Sequence, residues 1–203
     1  MTKPKLSFWF DFASTYSYLS AMRIEKLASD ADIDIIWQPF LLGPIFKAQG
    51  YETSPFNLFE VKGKNMWRDL ERLAQYYDLP AFTKPDPFPQ NGLRAARIAA
   101  FYAGEDWVPQ FIKSIFFAQF TKAALISDEL IVTSLNDLGE DGEALLHQAK
   151  SDLSMKDKLR QVTEEAREKG LFGAPSFVTT DGELFWGNDR LEQAIAWAKR
   201  NSQ

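Results

Sequence analysis

The order in which strand-like and helix-like stretches follow one another constrains this chain more than any single motif. "KLSFWFDF" (Lys5 to Phe12) is a short apolar run of the kind a buried strand makes. "SYLSAMRIEKLASDA" (Ser17 to Ala31) switches to helical spacing, with Leu19, Met22 (beside Ala21), Ile24 and Leu27 on one stripe. "IDIIWQPF" (Ile33 to Phe40) returns to strand. Strand, helix and strand in so short a span predict a βαβ unit, with parallel strands joined by a right-handed crossover.

The middle of the chain carries helical patterns only. Residues 56–77 predict one helix, with Phe59, Met66, Leu70 and Leu73 on its apolar stripe. "LPAFTKPDPFPQ" (Leu79 to Gln90), with four prolines, predicts an irregular connector. Asn91 suits the N-cap of a helix running to about residue 103. Further helices are expected over Trp107 to Phe120, Asp128 to Leu138, Asp141 to Ala149, and Lys156 to Lys169, the last stopping at Gly170. "PSFVTT" and "ELFWG", joined by Asp181-Gly182, then predict a hairpin, and a last helix follows from about Arg190. The result is an α/β chain: a thioredoxin-like βαβ…ββα sheet with an all-helical insertion. Residues 1–40 and 171–203 form the thioredoxin-like domain, and residues 41–170 the helical insertion domain.

Composition removes whole classes of chemistry. With no cysteine there is no disulfide, thiol nucleophile or cysteine metal site. A single histidine, His147, argues against a Ser-His-Asp triad or a His-rich metal centre. A net charge of −5 without a basic block argues against nucleic acid as a partner. No run approaches the ~18 apolar residues of a membrane span, so no membrane is expected. No apolar leader is visible in "MTKPKLSFWFDF", so cytoplasm is the expected location. Seventeen Phe and six Trp are many for 203 residues. Most belong in cores, but the surplus also suits a pocket for a flat aromatic ligand.

Four stretches carry chemistry. In "FDFASTYSYL" (Phe10 to Leu19) a strand ends at Asp11 and a small-residue turn opens a helix. Ser14 and Ser17 stand at the spacing of a redox C-x-x-C pair. Ser14 lies at the helix N-terminus, where exposed N–H groups and the macrodipole favour an anion by roughly 0.3–1 kcal/mol. Plain capping by Ser14 explains the same residue, and Ser17 suits a bond back to the backbone. In "GAPSF" (Gly173 to Phe177), Pro175 begins a strand after Ala174; an ordinary trans proline and a cis bond turning backbone groups towards a ligand both account for it. In "WGNDRLEQAI", Asp189 is placed to cap the last helix, and Asn188 and Asp189 also suit a ligand's carboxylate and ammonium. In "SPFNLFEVKGKNMWRDLERL", Asn57, Lys62, Lys64 and Trp67 suit a polar pocket wall, while a solvated charged face is the ordinary explanation.

Together, "FDFASTYSYL", "KGKNMWRDLERL", "FPQNGLRAAR", "FGAPSFV" and "LFWGNDRLE" resemble the 2-hydroxychromene-2-carboxylate isomerases. These belong to the DsbA-like thioredoxin group and are related to kappa-class glutathione transferases. The resemblance runs over nearly the whole chain in the same order. It implies glutathione as cofactor. Ser14 is then the catalytic residue, stabilising the thiolate. Pro175 is the cis-proline, Ala174 pairs with the glutathione backbone, Asn188 and Asp189 hold its γ-glutamyl end, and Lys62 and Asn57 complete the site. Lys64 and Trp67 then face the substrate, a small aromatic carboxylate. The implied reaction is cis–trans isomerisation of 2-hydroxychromene-2-carboxylate or a similar ring catabolite by reversible thiolate addition. A kappa-like transferase and a non-catalytic thioredoxin-like binding module are the alternatives. A symmetric homodimer is an ordinary assembly for such an enzyme. One departure stands out: the family often has Ser-Pro where this chain has Ser14-Thr15, a change expected to loosen the turn.

Overall fold

The first strand sits at the heart of the sheet because four of its six side chains, Leu6, Phe8, Trp9 and Phe10, are apolar and buried. The computed structural model describes residues 3–51 and 55–200, apart from the side chains of Pro55 and Asn57. Strand β1 (Lys5–Phe10) pairs in parallel with β2 (Asp34–Pro39) and antiparallel with β3 (Ser176–Thr179), which pairs with β4 (Leu184–Trp186). The sheet order is β2-β1-β3-β4, so the opening βαβ unit and the closing hairpin meet along β1. Both halves were foreseen, and the chain has the thioredoxin-like α/β fold. The two faces of β1 follow the period of two. Leu6, Phe8 and Phe10 point into one apolar core, and Trp9 into the other with Phe40, Val162, Ala166 and Val178. Phe8 stacks between Phe10 and Phe177 at 5.3 and 5.5 Å. Each such buried ring contributes about 1.5–3 kcal/mol through the water it sheds.

Helix α1 (Thr15–Ala31) crosses between β1 and β2 and buries Tyr18, Leu19, Ala21, Ile24 and Ala28; Met22 and Leu27 are only half-buried. It ends at Asp32 in the left-handed region (φ 60), whose N–H bonds back to the last turn. Helices α2 (Leu42–Ala48), α3 (Pro55–Leu58), α4 (Glu60–Tyr76), α5 (Leu93–Phe101), α6 (Val108–Thr121), α7 (Asp128–Asn136), α8 (Gly142–Ser151) and α9 (Leu153–Glu168) separate β2 from β3. Ser127, Asp141 and Asp152 cap α7, α8 and α9 by accepting N–H bonds in each first turn. Gly170 follows α9 with φ 76, as a left-handed stop requires. Helix α10 (Leu191–Arg200) closes the chain against α1 and β3.

Two expectations change. The helix expected over 56–77 breaks at Phe59, whose extended backbone (φ −115, ψ 94) separates α3 from α4. Gly63 explains how the two pack so closely: a Cβ there would lie 2.6 Å from the Phe56 carbonyl oxygen. The stripe survives as Met66 and Leu70, both buried, and Leu73, half-buried against the core, while Phe59 is exposed. At the other end, Asp189 does not cap α10. It lies inside a 3₁₀ turn, Asn188–Arg190, that runs straight into the helix.

Candidate active site

Asp11 builds the turn between β1 and α1. Its Oδ1 accepts the Ala13 N–H at 2.8 Å, its carbonyl accepts the Ser14 N–H at 2.9 Å, and its Oδ2 accepts the Leu42 N–H at 2.7 Å. One carboxylate thus fixes the loop before α1 and ties it to the start of α2. Burial pushes the Asp11 carboxyl above its ordinary pKa, and the two N–H bonds oppose that rise. In the sequence alone, Asp11 reads only as the end of a strand.

Ser14 caps the helix, as one of its two readings expected, and makes a second, long-range bond. Its Oγ accepts the Ser17 N–H at 3.2 Å, which makes it the N-cap of α1. The same hydroxyl donates to the Ala174 carbonyl at 2.9 Å, across the sheet. That bond joins the first turn to the bend before β3, where the Ala174–Pro175 peptide is cis. Ser17 behaves differently from expectation. Its Oγ is buried and has no partner among the described residues, so it makes no bond back to the backbone. Thr15 donates to Met66 Sδ at 3.4 Å and is buried, so the Ser-Thr turn is anchored to α4 rather than loosened. Unlike the proline usual in the family, Thr15 also carries an N–H. Among the described residues the N–H groups of Thr15, Tyr16 and Ala174 have no hydrogen-bond partner.

These groups open into a cavity of about 590 Å³. Asp11, Ser14, Thr15 and Ala174 form its polar floor, and Tyr16, Phe46, Tyr51, Phe56, Phe59, Phe88, Phe172 and Trp186 supply aromatic walls. Phe172 and Trp186 touch at 4.9 Å and are about half exposed, so they stand at the mouth. Gly173 admits the indole: a Cβ there would come within 2.4 Å of Trp186 Nε1. Lys62 is the one cation among the lining residues, lying 4.7 Å over the Phe59 ring and in no ion pair among the described residues. Tyr16 donates to Asp69 Oδ2 at 3.0 Å; burial first, then Asp69 and more weakly Asp189, hold its hydroxyl well above the ordinary tyrosine range. It remains neutral and serves as a wall.

The fold of the chain now has named counterparts. The model of the DsbA-like thioredoxin domain matches residues 5–195. A 2-hydroxychromene-2-carboxylate isomerase from Sphingobium xenophagum is 31% identical over 95% of this chain and 96% of its own. The chain belongs to the DsbA-like thioredoxin family, alongside the 2-hydroxychromene-2-carboxylate isomerases. A glutathione S-transferase kappa 2 from Caenorhabditis elegans is 29% identical over 93% of this chain and 88% of its own. A solved 2-hydroxychromene-2-carboxylate isomerase structure superposes with a TM-score of 0.87 at 27% identity, covering 98% of this chain and 96% of that one. The chain is therefore an isomerase-like enzyme of a glutathione-related isomerase and transferase family.

Within this DsbA-like frame the expected site residues separate. Ser14, Lys62 and Ala174 line the cavity, and Pro175 follows directly beneath Ala174. Asn188 does not line it. It is 3% exposed; its Oδ1 accepts from Ser20 Oγ at 3.1 Å and Arg23 Nη1 at 3.2 Å, and its Nδ2 donates to the Tyr77 hydroxyl at 3.3 Å. Asp189 is exposed, pairs with Arg190 at 3.1 Å, and is near enough to Tyr16 to act on its hydroxyl. Lys64 points away from the lining into an exposed pair with Glu60 at 2.7 Å. Trp67 stands behind the wall, edge-on to Phe88 at 4.7 Å and stacked on Phe82 at 5.9 Å. Of the polar wall expected from Lys62, Asn57 and Trp67, Lys62 lines the cavity among aromatic rings and Trp67 does not. The Asn57 side chain lies outside the described residues. His147 is on α8, outside the lining set.

Proposed function

We propose that the chain is a glutathione-dependent cis–trans isomerase of 2-hydroxychromene-2-carboxylate or a similar small aromatic carboxylate. The observation that carries this reading is the convergence of Ser14, the unpartnered N–H groups of Thr15 and Tyr16, and an open aromatic cavity at one helix start. The residues present fit the tripeptide. The Ala174 N–H matches a peptide carbonyl, Thr15 and Tyr16 offer donors to an anionic sulfur, and Lys62 and Asp189 offer opposite charges to its termini. Bound glutathione would supply a thiolate that adds to a conjugated double bond and leaves again, so that the bond turns meanwhile.

The chain's own residues meet three requirements of that chemistry. Ser14 re-aims its hydroxyl from a neutral carbonyl to an anion. A hydrogen bond to a charged acceptor is worth about 1.5–3 kcal/mol against about 0.5–1.5 kcal/mol for a neutral one, so the exchange favours the ionised sulfur. Lys62, exposed on the cavity wall, offers a positive charge to a carboxylate and keeps that charge close to the ring that carries it. The aromatic walls hold a planar ring and leave volume for it to swing. Ser14 is thus a thiolate stabiliser, and no covalent serine step is needed.

The test is binding before turnover. Calorimetry should show one glutathione per chain, with a melting temperature that rises as linkage requires; absence of heat at millimolar glutathione ends the proposal. Hydroxychromene acids should then isomerise only with glutathione present, and glutathione should be recovered unchanged. Accumulation of a stable conjugate instead would assign the kappa-like transferase outcome, which the Caenorhabditis elegans relative's name motivates.

A further inference from the structure

A second cavity, of about 330 Å³, lies between α5, α7 and α8 and shares no residue with the first. Its lining includes Arg94, Arg97 and Lys150, with Leu93, Ile126 and Ile131 as an apolar side. In a chain with 28 acidic and 23 basic residues, this concentration of cations runs against the average. The carboxylate among them is Asp128, which pairs with both Arg94 and Lys150, the latter at 2.7 Å. Arg97 donates Nη1 to the Ala149 carbonyl at 2.9 Å, and its buried Nε has no partner among the described residues. Burial and the nearby Arg94 both weigh against the Arg97 charge, so the cluster is under-neutralised as it stands. Three cations against one carboxylate leave two positive charges facing a concave, half-apolar space.

A solvated charged face is the ordinary explanation of surface Arg and Lys, but that explanation fits a convex helix flank with alternating signs. Here two helices, α5 with Arg94 and Arg97 and α8 with Lys150, direct like charges into one hollow. We infer that this hollow is a binding site for a small organic dianion, its charged groups on Arg94, Arg97 and Lys150 and its carbon body against Leu93, Ile126 and Ile131. The site is separate from the Ser14 cavity, and it does not depend on glutathione chemistry.

Phthalate serves as the probe and sulfate as the control dianion without a carbon body. Both are titrated calorimetrically into the full chain carrying Lys62→Gln, which removes the cation of the other cavity. One phthalate should bind per chain, weakening as salt is added. Arg94→Gln with Lys150→Gln should weaken association about tenfold, and sulfate should bind about tenfold more weakly than phthalate. Asp128→Asn, which removes the competing carboxylate, should strengthen it by about threefold. A misfolded variant can only weaken binding, so that opposite sign guards the test. Absence of phthalate binding at low salt, equal affinity for sulfate, or an affinity unmoved by the Arg94/Lys150 changes would overturn the assignment.

Discussion

Two turns in this molecule look alike as sequence and behave oppositely as structure. "ASTYS" leads from a strand into α1, and "GNDRL" leads from a strand into α10. Each offers a short polar side chain, an acid nearby and the first N–H groups of a helix. At the first, Ser14 caps the helix, and Thr15 and Tyr16 keep open N–H groups above a cavity. At the second, Asn188 is buried and its amide is committed to Ser20, Arg23 and Tyr77, so it joins α1, α4 and α10 internally. The same local chemistry opens onto a cavity in one place and serves the protein's own packing in the other. What separates them is the neighbour: an aromatic-lined hollow beside Ser14, and the packed flank of α1 beside Asn188.

That contrast is open to attack by substitution, and the largest effect belongs to the closed turn. Asn188→Ala strips a buried hub of its hydrogen bonds and leaves the Arg23 guanidinium with Glu192 and the Tyr77 ring, which it overlies at 3.4 Å. It should lower unfolding free energy by about 2–4 kcal/mol in denaturant titration, while glutathione affinity measured well below the midpoint stays within about twofold. A large loss of affinity with little loss of stability would reverse the roles assigned to the two turns. Ser14→Ala should do the opposite. Stability falls by about 1 kcal/mol through the lost cap. The pKa of bound glutathione, read from thiolate absorbance, should rise by about one unit, since roughly 1 kcal/mol of preference for the anion disappears.

The smallest effect concerns Asp11 and is one of pH. Its folded pKa is raised, so the native state holds that proton at pH values where the unfolded chain has released it. Stability from this group is therefore greatest near and below pH 3.8, the ordinary value, and declines as pH rises through the window up to the folded pKa. Asp11→Asn should flatten that decline in acid-range unfolding curves, at a constant cost of about 1 kcal/mol from the N–H bond an amide no longer accepts. A steeper decline in the variant would show that the carboxylate, not the acid, is the form the turn favours.

Much of the fold was legible because local patterns and global packing agree. The alternation of Leu6, Phe8 and Phe10 against Trp9 marks two buried faces, and helical apolar spacing placed α7 and α8 from Asp128 and Asp141 onward. The failures sit where a distant contact decides. Phe59 breaks α3 from α4 because Gly63 lets the Phe56 carbonyl approach, a contact no periodicity reports. Trp67 reads as a pocket ring but is drawn back by Phe82 and Phe88 from the proline-rich connector. Asp11 reads as a strand end, and its place in the site arises from the Leu42 N–H, thirty-one residues away. Ser14 was recognisable from its position, yet only the Ala174 carbonyl, 160 residues on, shows what its proton does.

That last bond sets an entry threshold. A hydroxyl already satisfied by a peptide oxygen gains little by turning to water or to an uncharged thiol, each no better an acceptor than the one it leaves. Only a guest carrying negative charge offers enough to make it let go. Under the proposed function, the resting latch would discriminate before any chemistry begins, selecting a ligand by its protonation state as much as by its shape.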